Sequence, residues 1–367
     1  SGTHVPLVVH VPEKFISFRT AEPGETDDRL VSSVDFGPSV LTLAGIEVPE
    51  HMHGSSFLGD APERDYVYGA RDRMDERYDI IRTVRDKKYR FVRNFEPLKP
   101  YYQYMNTPEK GATMMEIRKA EKAGTLTGAA ALFSMGSKPV EELYDLEADP
   151  HEVNNLAADP AYAEKLEELK GALFKWQLEI GDIGLIPESE ITAREAAAGA
   201  TYAILHGETD QSELIYALTA IATSASEGQE AFADLLAALN YEDAAVRYWG
   251  ATGFGNFAEE ASEFEGAREA LRVALNDEAP AVRIAAGRAL CRMGDDPKAL
   301  RVVADAMEGG NEWSRLEAAI VLDELDEGAR PVLKDLQAGL DKQPNKYIVR
   351  VSNKAVNDLL GTDNKVP

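Results

Sequence analysis

The residues best suited to bind an anion lie in one basic stretch, between Arg71 and Arg93. This stretch holds nine arginines and lysines against five acidic residues, a balance of +4, whereas the whole 367-residue chain carries a net charge of −25. Guanidinium and ammonium groups are strong hydrogen-bond donors to anionic ligands. The acidity of the rest of the chain argues against nucleic acid or an anionic membrane as a general partner.

Arg71, Asp72 and Arg73 are the strongest candidates in this stretch. They follow a short strand-like run at residues 66–70, and loops after strands are where α/β proteins place ligand contacts. The alternative is that these side chains form surface or interdomain ion pairs. The basic residues of the next two strand-like runs are predicted to form a solvated face: Arg82, Arg85, Lys87, Lys88 and Arg90.

Two histidines, His51 and His53, precede a Gly-Ser-Ser turn. They are candidates to line a pocket or to protonate a leaving group, and the alternative is that they are ordinary loop histidines. Cys291 is the single cysteine, so an internal disulfide and a cysteine-rich metal site are excluded. No run reaches the ~18 apolar residues that a membrane-spanning helix needs.

The elements that must position these residues differ between two regions. Residues 1–181 mix strands with helices, residues 182–190 are predicted as a linker, and residues 191–361 are helical. Strands are predicted at 5–12, 66–70 and 142–146, with a hairpin at 80–85 and 89–93. Helices are predicted at 31–46, at 108–123 and after Asp159-Pro160.

The run at residues 5–12 is almost entirely apolar, which is typical of a central parallel strand buried on both faces. Such a strand needs neighbouring strands and covering helices, yet only four residues precede it. We therefore expect this segment to be an interior piece of a larger α/β body whose reactive half lies upstream.

The helical region contains a loose repeat. A helix entry ending in arginine recurs at Arg247, Arg283, Arg315 and Arg350, at spacings of 36, 32 and 35 residues. A second apolar helix lies between successive entries, and two helices per 30–40 residues is typical of HEAT-type repeats. Each entry arginine is predicted to pair with an acid of the neighbouring repeat. Repeats of this kind bind a protein partner or pack on their own enzyme.

Five segments of the first region resemble the sulfatase family in the family's order. They are SGTHVPLVV at 1–9, the helix at 31–46 ending in Ala-Gly-Ile, HGSSFLG at 53–59, RTVRDKKYRF at 82–91 and ELYDLEADPHEVNNL at 142–156. Within the family the chain is most similar to heparan N-sulfatase (sulfoglucosamine sulfohydrolase)-like members. The resemblance implies the C-terminal portion of an α/β alkaline-phosphatase-like sulfatase, with an incomplete sheet and a small antiparallel subdomain. An all-α HEAT-like solenoid follows it.

By this resemblance the complete enzyme uses a formylglycine, made within Cys/Ser-x-Pro-x-Arg, and calcium. No such motif occurs here, so we expect this chain to bind neither, to supply no nucleophile or metal ligand, and to be inactive alone. It would supply scaffold and substrate contacts for hydrolysis of sulfate esters or sulfamates of glycans: Arg71, Asp72, Arg73, His51 and His53. Periplasmic or extracellular placement is implied. The alternative is a non-catalytic binding or scaffolding protein.

Overall fold

The computed structural model describes residues 4–207, 209–294 and 296–367 and divides the chain into two compact units. The first comprises Ser1–Ala70, Arg82–Arg93 and Glu141–Trp176. The second comprises Arg71–Ile81, Asn94–Val140 and Gln177–Pro367. The chain therefore crosses between the units several times. The first three residues of the SGTHVPLVV motif lie outside the described residues.

The strands form one four-stranded sheet in the order β1 (Val67–Arg71), β2 (Ile81–Arg85), β3 (Tyr89–Asn94) and β4 (Glu141–Asp145). The helices are α1 Phe36–Leu43, α2 Asn106–Glu109, α3 Ala112–Lys122, α4 Ala129–Phe133, α5 Ala163–Ile180, α6 Glu188–Ala198, α7 Ala203–His206, α8 Ser212–Ser224, α9 Phe232–Ala238, α10 Ala244–Asn256, α11 Ala258–Ser262, α12 Ala267–Ala274, α13 Pro280–Arg292, α14 Pro297–Asp305, α15 Glu312–Glu324, α16 Leu333–Ala338 and α17 Lys346–Leu360.

The core of the first unit lies between the sheet and α5. Strands β3 and β4 are antiparallel with Phe91 opposite Leu143, and these side chains are buried together with Val84. Leucines spaced one helical turn apart on α5 pack against them, and Leu169 is completely buried. The alternation of strand side chains and the 3.6-residue helical period thus bring two apolar faces together.

Most predicted elements are confirmed. The strands at 66–70 and 142–146 and the hairpin are present within about a residue of the predicted bounds. The helix at 31–46 is shorter than predicted, because a 3₁₀ turn at Ser33–Asp35 precedes α1. The helix at 108–123 is divided into α2 and α3 at Gly111, whose extended backbone (ψ 142°) breaks the helical run.

The predicted strand at residues 5–12 is wrong. These residues adopt no strand, and Val5 and Val8 are 66% and 91% exposed. An apolar run becomes a strand only where a neighbouring strand pairs with its backbone, and within the described residues the four strands pair with one another. Large apolar side chains of the following segment are exposed as well, including Val40 (63%) and Ile46 (56%).

The second unit contains the helical repeats, and their entries are as predicted. Helices α10, α13, α15 and α17 begin at the four arginine-containing motifs. The Asp243 carboxylate caps α10 by accepting from the Ala245 N–H at 2.8 Å. Arg247 pairs with Asp277 of the next repeat at 2.7 Å, as predicted. Arg283 differs, since it donates to the backbone carbonyls of Asp277 and Glu278.

Residues 182–190 contain a 3₁₀ turn at Ile183–Leu185 and the start of α6. Leu185 and Ile186 are almost completely buried. The indole Nε1 of Trp249 donates to the Leu185 carbonyl at 2.7 Å, in the core of the second unit. This stretch is therefore packed into the helical repeats.

Candidate functional site

The Arg73 side chain is held by the helical repeats. Its Nε lies 2.6 Å and 2.8 Å from the two carboxylate oxygens of Glu188, at the start of α6. Its guanidinium carbon lies 4.2 Å from the ring centroid of Trp313 in α15, a favourable cation–π distance. Its Nη1 also donates to the Asp75 carbonyl. Three contacts therefore fix the position of this guanidinium within the second unit.

Arg71 and Asp72 precede a buried acidic group. The Arg71 Nη1 lies 3.7 Å from Asp79, whose side chain is completely buried. Asp79 also accepts from the Lys138 ammonium at 2.5 Å and from the Gln103 amide at 3.0 Å. Burial lowers the pKa of Lys138, although Asp79 opposes that shift. Arg71 and Arg73 therefore both form ion pairs in this structure, which is the alternative considered from the sequence. An ion-paired guanidinium can still contact a ligand.

The same loop is bound by α17, the last helix of the repeats. The Tyr347 hydroxyl donates to Asp75 at 2.6 Å, and Arg350 lies 3.5 Å from Glu76. Glu76 in turn accepts the Asn106 backbone N–H. Within the second unit, residues 73–76 thus contact α6, α15 and α17, which leaves this loop little freedom to move.

A small, partly open pocket lies between this loop and the repeats, within the second unit. One side carries Arg73, Tyr78 and Lys99, from the strand-containing part of the sequence. The other side is formed by equivalent faces of α10, α13 and α15. Thr252, Arg288 and Ile320 stand there, each nine residues after its helix's N-cap.

Buried charges lie at the base of the pocket. Arg288 contacts Glu324 at 2.8 Å and Glu96 at 3.4 Å, and Lys99 contacts Glu324 at 2.7 Å. Burial alone would raise the pKa of Glu324, but the two cations lower it to about 2. These four groups join residues 96–99 to α13 and α15 inside the second unit.

Glu317 behaves differently, although it lines the same pocket. No hydrogen bond or ion pair reaches its carboxyl from the described residues. Burial raises its pKa to about 8, with Lys99 opposing the shift. The Ser189 Oγ is buried and has no hydrogen-bond partner in the described part of the chain, whereas Glu317 is partly exposed.

His51 and His53 belong to the first unit, on an exposed loop. The completely buried Asp35 organises this loop by accepting from the Ser55 N–H at 3.0 Å and from Arg64 at 2.6 Å. A Cβ at Gly54 would lie 2.1 Å from the Val34 carbonyl oxygen, so only glycine fits there. Arg71, Asp72 and Arg73 belong to the second unit.

The predicted solvated face of the hairpin is wrong for Arg82, which is completely buried. A strand alternates its side chains between two faces, and Arg82 points to the covered one. Other members of the set are ion-paired within the first unit: Arg90 with Glu152 at 2.7 Å, and Lys87 with Asp28 at 3.1 Å.

Sequence reasoning missed Trp313, Glu317, Arg288 and Ser189. A signal for Trp313 was present, since the second residue after the N-cap is alanine in α10 and α13 but tryptophan in α15. Arg288 and Glu317 interrupt otherwise apolar or alanine-rich helix faces. Such departures from a repeat pattern mark positions that do something besides packing the repeats.

Residues 1–116 match the family described as N-sulphoglucosamine sulphohydrolase, C-terminal, and residues 232–323 and 267–356 match HEAT repeats. Residues 1–116 are thus similar to a sulfatase C-terminal region (the sulfatase-like region), and the helical residues that follow are similar to HEAT repeats. The resemblance read from the motifs is thereby confirmed. The pocket described above is lined by residues of this sulfatase-like region, namely Arg73, Tyr78 and Lys99, and by residues of the HEAT-type helices.

An ulvan-active sulfatase of Formosa agariphila is 38% identical over 193 residues, covering 52% of this chain and 31% of the relative. The N-sulphoglucosamine sulphohydrolase of Homo sapiens is 29% identical over 198 residues, covering 49% and 38%. A solved structure of a protein with its substrate, D-glucosamine-2-N,6-O-disulfate, is 20% identical with a TM-score of 0.26, covering 39% and 23%. The chain spans about a third of the length of the curated relatives it matches.

The resemblance to sulfatases implies calcium and a formylglycine in the complete enzyme. Among residues 4–207, 209–294 and 296–367, no three or more histidine, cysteine, aspartate or glutamate side chains are grouped so as to hold a metal ion. The sequence has no Cys/Ser-x-Pro-x-Arg segment. In that same part of the chain, no helix is both long and apolar enough to cross a membrane.

Proposed function

We propose that this chain is the C-terminal portion of a sulfatase that hydrolyses sulfate esters or sulfamates of glycans. It supplies scaffold and substrate-binding residues, while the nucleophile and the metal site come from elsewhere in the enzyme. The observation that carries this proposal is the match of residues 1–116 to a sulfohydrolase C-terminal family. The curated relatives named as sulfatases support it.

The proposed substrate contacts are Arg71, Asp72 and Arg73, with His51 and His53 as further candidates. Sulfated glycans are polyanions, so guanidinium donors suit their sulfate groups, and a carboxylate accepts hydrogen bonds from sugar hydroxyls. Arg73 is held by Glu188 and Trp313. A guanidinium that is already fixed loses less conformational entropy when it binds a ligand.

The HEAT-type helices have a proposed role in the same unit, which is to hold the loop that carries these contacts. Glu188, Trp313, Tyr347 and Arg350 all contact residues 73–76. The repeats would then position residues 73–76 of their own chain, as supporting residues hold a catalytic group in position.

An exposed apolar surface in the first unit supports the view that the enzyme has a further part. Val8, Val40 and Ile46 are all more than half exposed, and a surface of this kind is typical of a contact with another protein surface. We propose that the α/β portion with the reactive groups covers it. Periplasmic or extracellular placement is proposed for the whole enzyme from its sulfatase relationship.

The experiment joins this chain to the catalytic part of a relative. The region of the Formosa agariphila ulvan-active sulfatase that matches this chain is replaced by residues 1–367, and sulfate release is measured. We expect the chimera to release sulfate and this chain alone to release none. Arg73→Ala should raise KM for a sulfated oligosaccharide about tenfold, the loss of one charged hydrogen bond, and leave KM for a small aryl sulfate nearly unchanged.

Lys87→Ala is the matched control, because Lys87 is an exposed cation of the same basic stretch. It should leave both KM values unchanged. Sulfate release by this chain alone would contradict the proposal that the nucleophile and the metal site come from elsewhere in the enzyme. Equal increases in KM for both substrates would remove the substrate-binding role of Arg73, and glycan binding without turnover in any chimera would favour a scaffolding protein.

A further inference from the structure

Two arginines contact the ring of Tyr102, and they differ in how their charge is neutralised. The Arg118 guanidinium carbon lies 5.0 Å from the ring centroid. Its nitrogens lie 2.8 Å and 2.7 Å from the carboxylates of Glu109 and Glu121. The Arg77 guanidinium carbon lies 4.7 Å from the same ring centroid, yet no carboxylate lies within ion-pairing distance of Arg77 in the described part of the chain.

The two acidic residues that precede Arg77 in the sequence are held by other groups. Asp75 accepts from the Tyr347 hydroxyl at 2.6 Å, and Glu76 pairs with Arg350 at 3.5 Å. Both carboxylates favour the charged form of Arg77, but less than burial disfavours it. The positive charge of Arg77 is therefore not compensated by its acidic neighbours.

The Arg77 guanidinium is partly buried and held in place. Its Nη2 donates to the Met105 Sδ at 3.5 Å, a weak acceptor, and its Nε is buried without a hydrogen bond. Its Nη1 is neither hydrogen bonded nor buried in the part of the chain that the structure describes. Burial lowers the pKa of Arg77, and the neighbouring Arg71 lowers it further. A cation that has lost part of its water and has no counter-ion gains stability when it binds an anion.

A tight turn fixes Arg77 relative to the candidate substrate contacts. The Met74 N–H donates to the Arg77 carbonyl at 2.8 Å, and the Arg77 N–H donates to the Met74 carbonyl at 3.0 Å. Arg73 directly precedes this turn, and Arg71 is near enough to act on the Arg77 charge. All of these residues belong to the second unit. Arg77 therefore adds an uncompensated positive charge to the loop that carries Arg71 and Arg73.

We propose that Arg77 is a further substrate-binding residue, which holds a second anionic group of the glycan beside the contacts made by Arg71 and Arg73. This second group is a sulfate or a carboxylate that is not hydrolysed, because either presents two oxygens to a guanidinium. The choice of a glycan rests on the proposed function, and the inference narrows the substrate to saccharides with at least two anionic groups. The missing counter-ion of Arg77 does not depend on that choice.

Calorimetric titration of the full chain with saccharides of different charge tests the proposal. N-sulfoglucosamine carries one anionic group, and glucosamine-2-N,6-O-disulfate carries two sulfates. A disaccharide of glucuronic acid and N-sulfoglucosamine carries a sulfate and a carboxylate. We expect the wild type to bind at least one doubly charged probe about tenfold more tightly than N-sulfoglucosamine, the contribution of one charged hydrogen bond. The probe that binds more tightly identifies the second group as a sulfate or a carboxylate.

Arg77→Met keeps an apolar stem against Tyr102 and removes the charge, so this variant should bind all three probes within about threefold of one another. Lys119→Met is the control, because Lys119 is a 77% exposed cation of the same unit and its loss changes the net charge equally. The control should keep the preference for the doubly charged probe. Because Arg77 has no counter-ion, Arg77→Met should melt at or above the wild-type temperature, so a loss of binding is then not a loss of folding.

The proposal is overturned if the wild type binds neither doubly charged probe more tightly than N-sulfoglucosamine, or if Arg77→Met keeps the preference. A chimera that releases sulfate, together with either of those results, would leave the proposed function standing without this contact. A preference that is lost in Arg77→Met, together with a chimera that releases no sulfate, would establish Arg77 as an anion contact and remove the proposed function.

Discussion

Two parts of the sulfatase-like region differ in how far their side chains are buried: the first is residues 5–46, and the second is residues 71–81 together with residues 94–116. The first leaves Val5, Val8 and Val40 more than half exposed. The second belongs to the same unit as the HEAT repeats, and its Ile80, Phe95 and Glu96 are almost completely buried. The comparison teaches that the repeats bury one part of the sulfatase-like region, whereas the other part keeps large apolar side chains exposed.

Removing the repeats should have the largest effect. A fragment of residues 1–181 keeps the sheet and α5 but leaves Ile80 and Phe95 without the core they share with the repeats. We expect this fragment to unfold without a cooperative transition in calorimetry, whereas the full chain melts cooperatively. A sharp two-state melt of the fragment would contradict this comparison, because residues 71–81 and 94–140 would then be stable without the repeats.

Arg288→Ala should have the next largest effect. The substitution leaves Glu96 and Glu324 buried with fewer cations, and removing one partner of a buried pair costs about 3–5 kcal/mol. Chemical denaturation of the full chain measures the change in free energy of unfolding. Arg272→Ala is the control, since Arg272 is 52% exposed and only 3.7 Å from its partner Asp296. That variant should change stability by less than about 0.5 kcal/mol.

Glu317→Gln should alter the pH dependence of stability. Because the pKa of Glu317 is about 8 in the folded chain, the folded state retains a proton that the unfolded state releases above about 4.3. The free energy of unfolding therefore falls as pH rises between those values, and levels off above pH 8. The variant lacks this slope and should be more stable than the wild type at pH 8 by roughly 1–3 kcal/mol.

Melting temperatures at pH 5 and pH 8 measure the effect, with Glu308→Gln as an exposed control. Equal pH dependence in the wild type and in Glu317→Gln would mean that Glu317 is ionised and solvated.

Val8→Ser should have the smallest effect on stability. It tests the part of the sulfatase-like region whose apolar side chains are exposed. Val8 is 91% exposed, and an exposed apolar residue contributes little to folding, so the change should stay within about 0.5 kcal/mol. Ile80→Ala, at a completely buried position, should cost about 2–5 kcal/mol by contrast. A loss above about 1 kcal/mol for Val8→Ser would show that residues 5–12 are covered in this chain.

Local patterns predicted the elements well, because each depends on neighbouring residues. The hairpin follows from alternation around Asp86, and the repeat helices follow from caps such as Asp243 and Asn311. The strand at 5–12 failed because pairing depends on a distant partner that an apolar run does not reveal. The candidate loop Arg71–Arg73 was identified by charge, but its partners Glu188 and Trp313 lie more than 100 residues away.

Hydrogen exchange tests most directly whether the repeats hold the sulfatase-like segment. The Phe95 amide donates to Ile80 at 3.0 Å and the Lys138 amide donates to Pro97 at 2.8 Å, so both report on this segment. We predict that they exchange with the same opening free energy as amides at the centre of α13, and that Arg288→Ala lowers all of them together. Exchange of Phe95 and Lys138 through small local openings, unaffected by Arg288→Ala, would contradict the account.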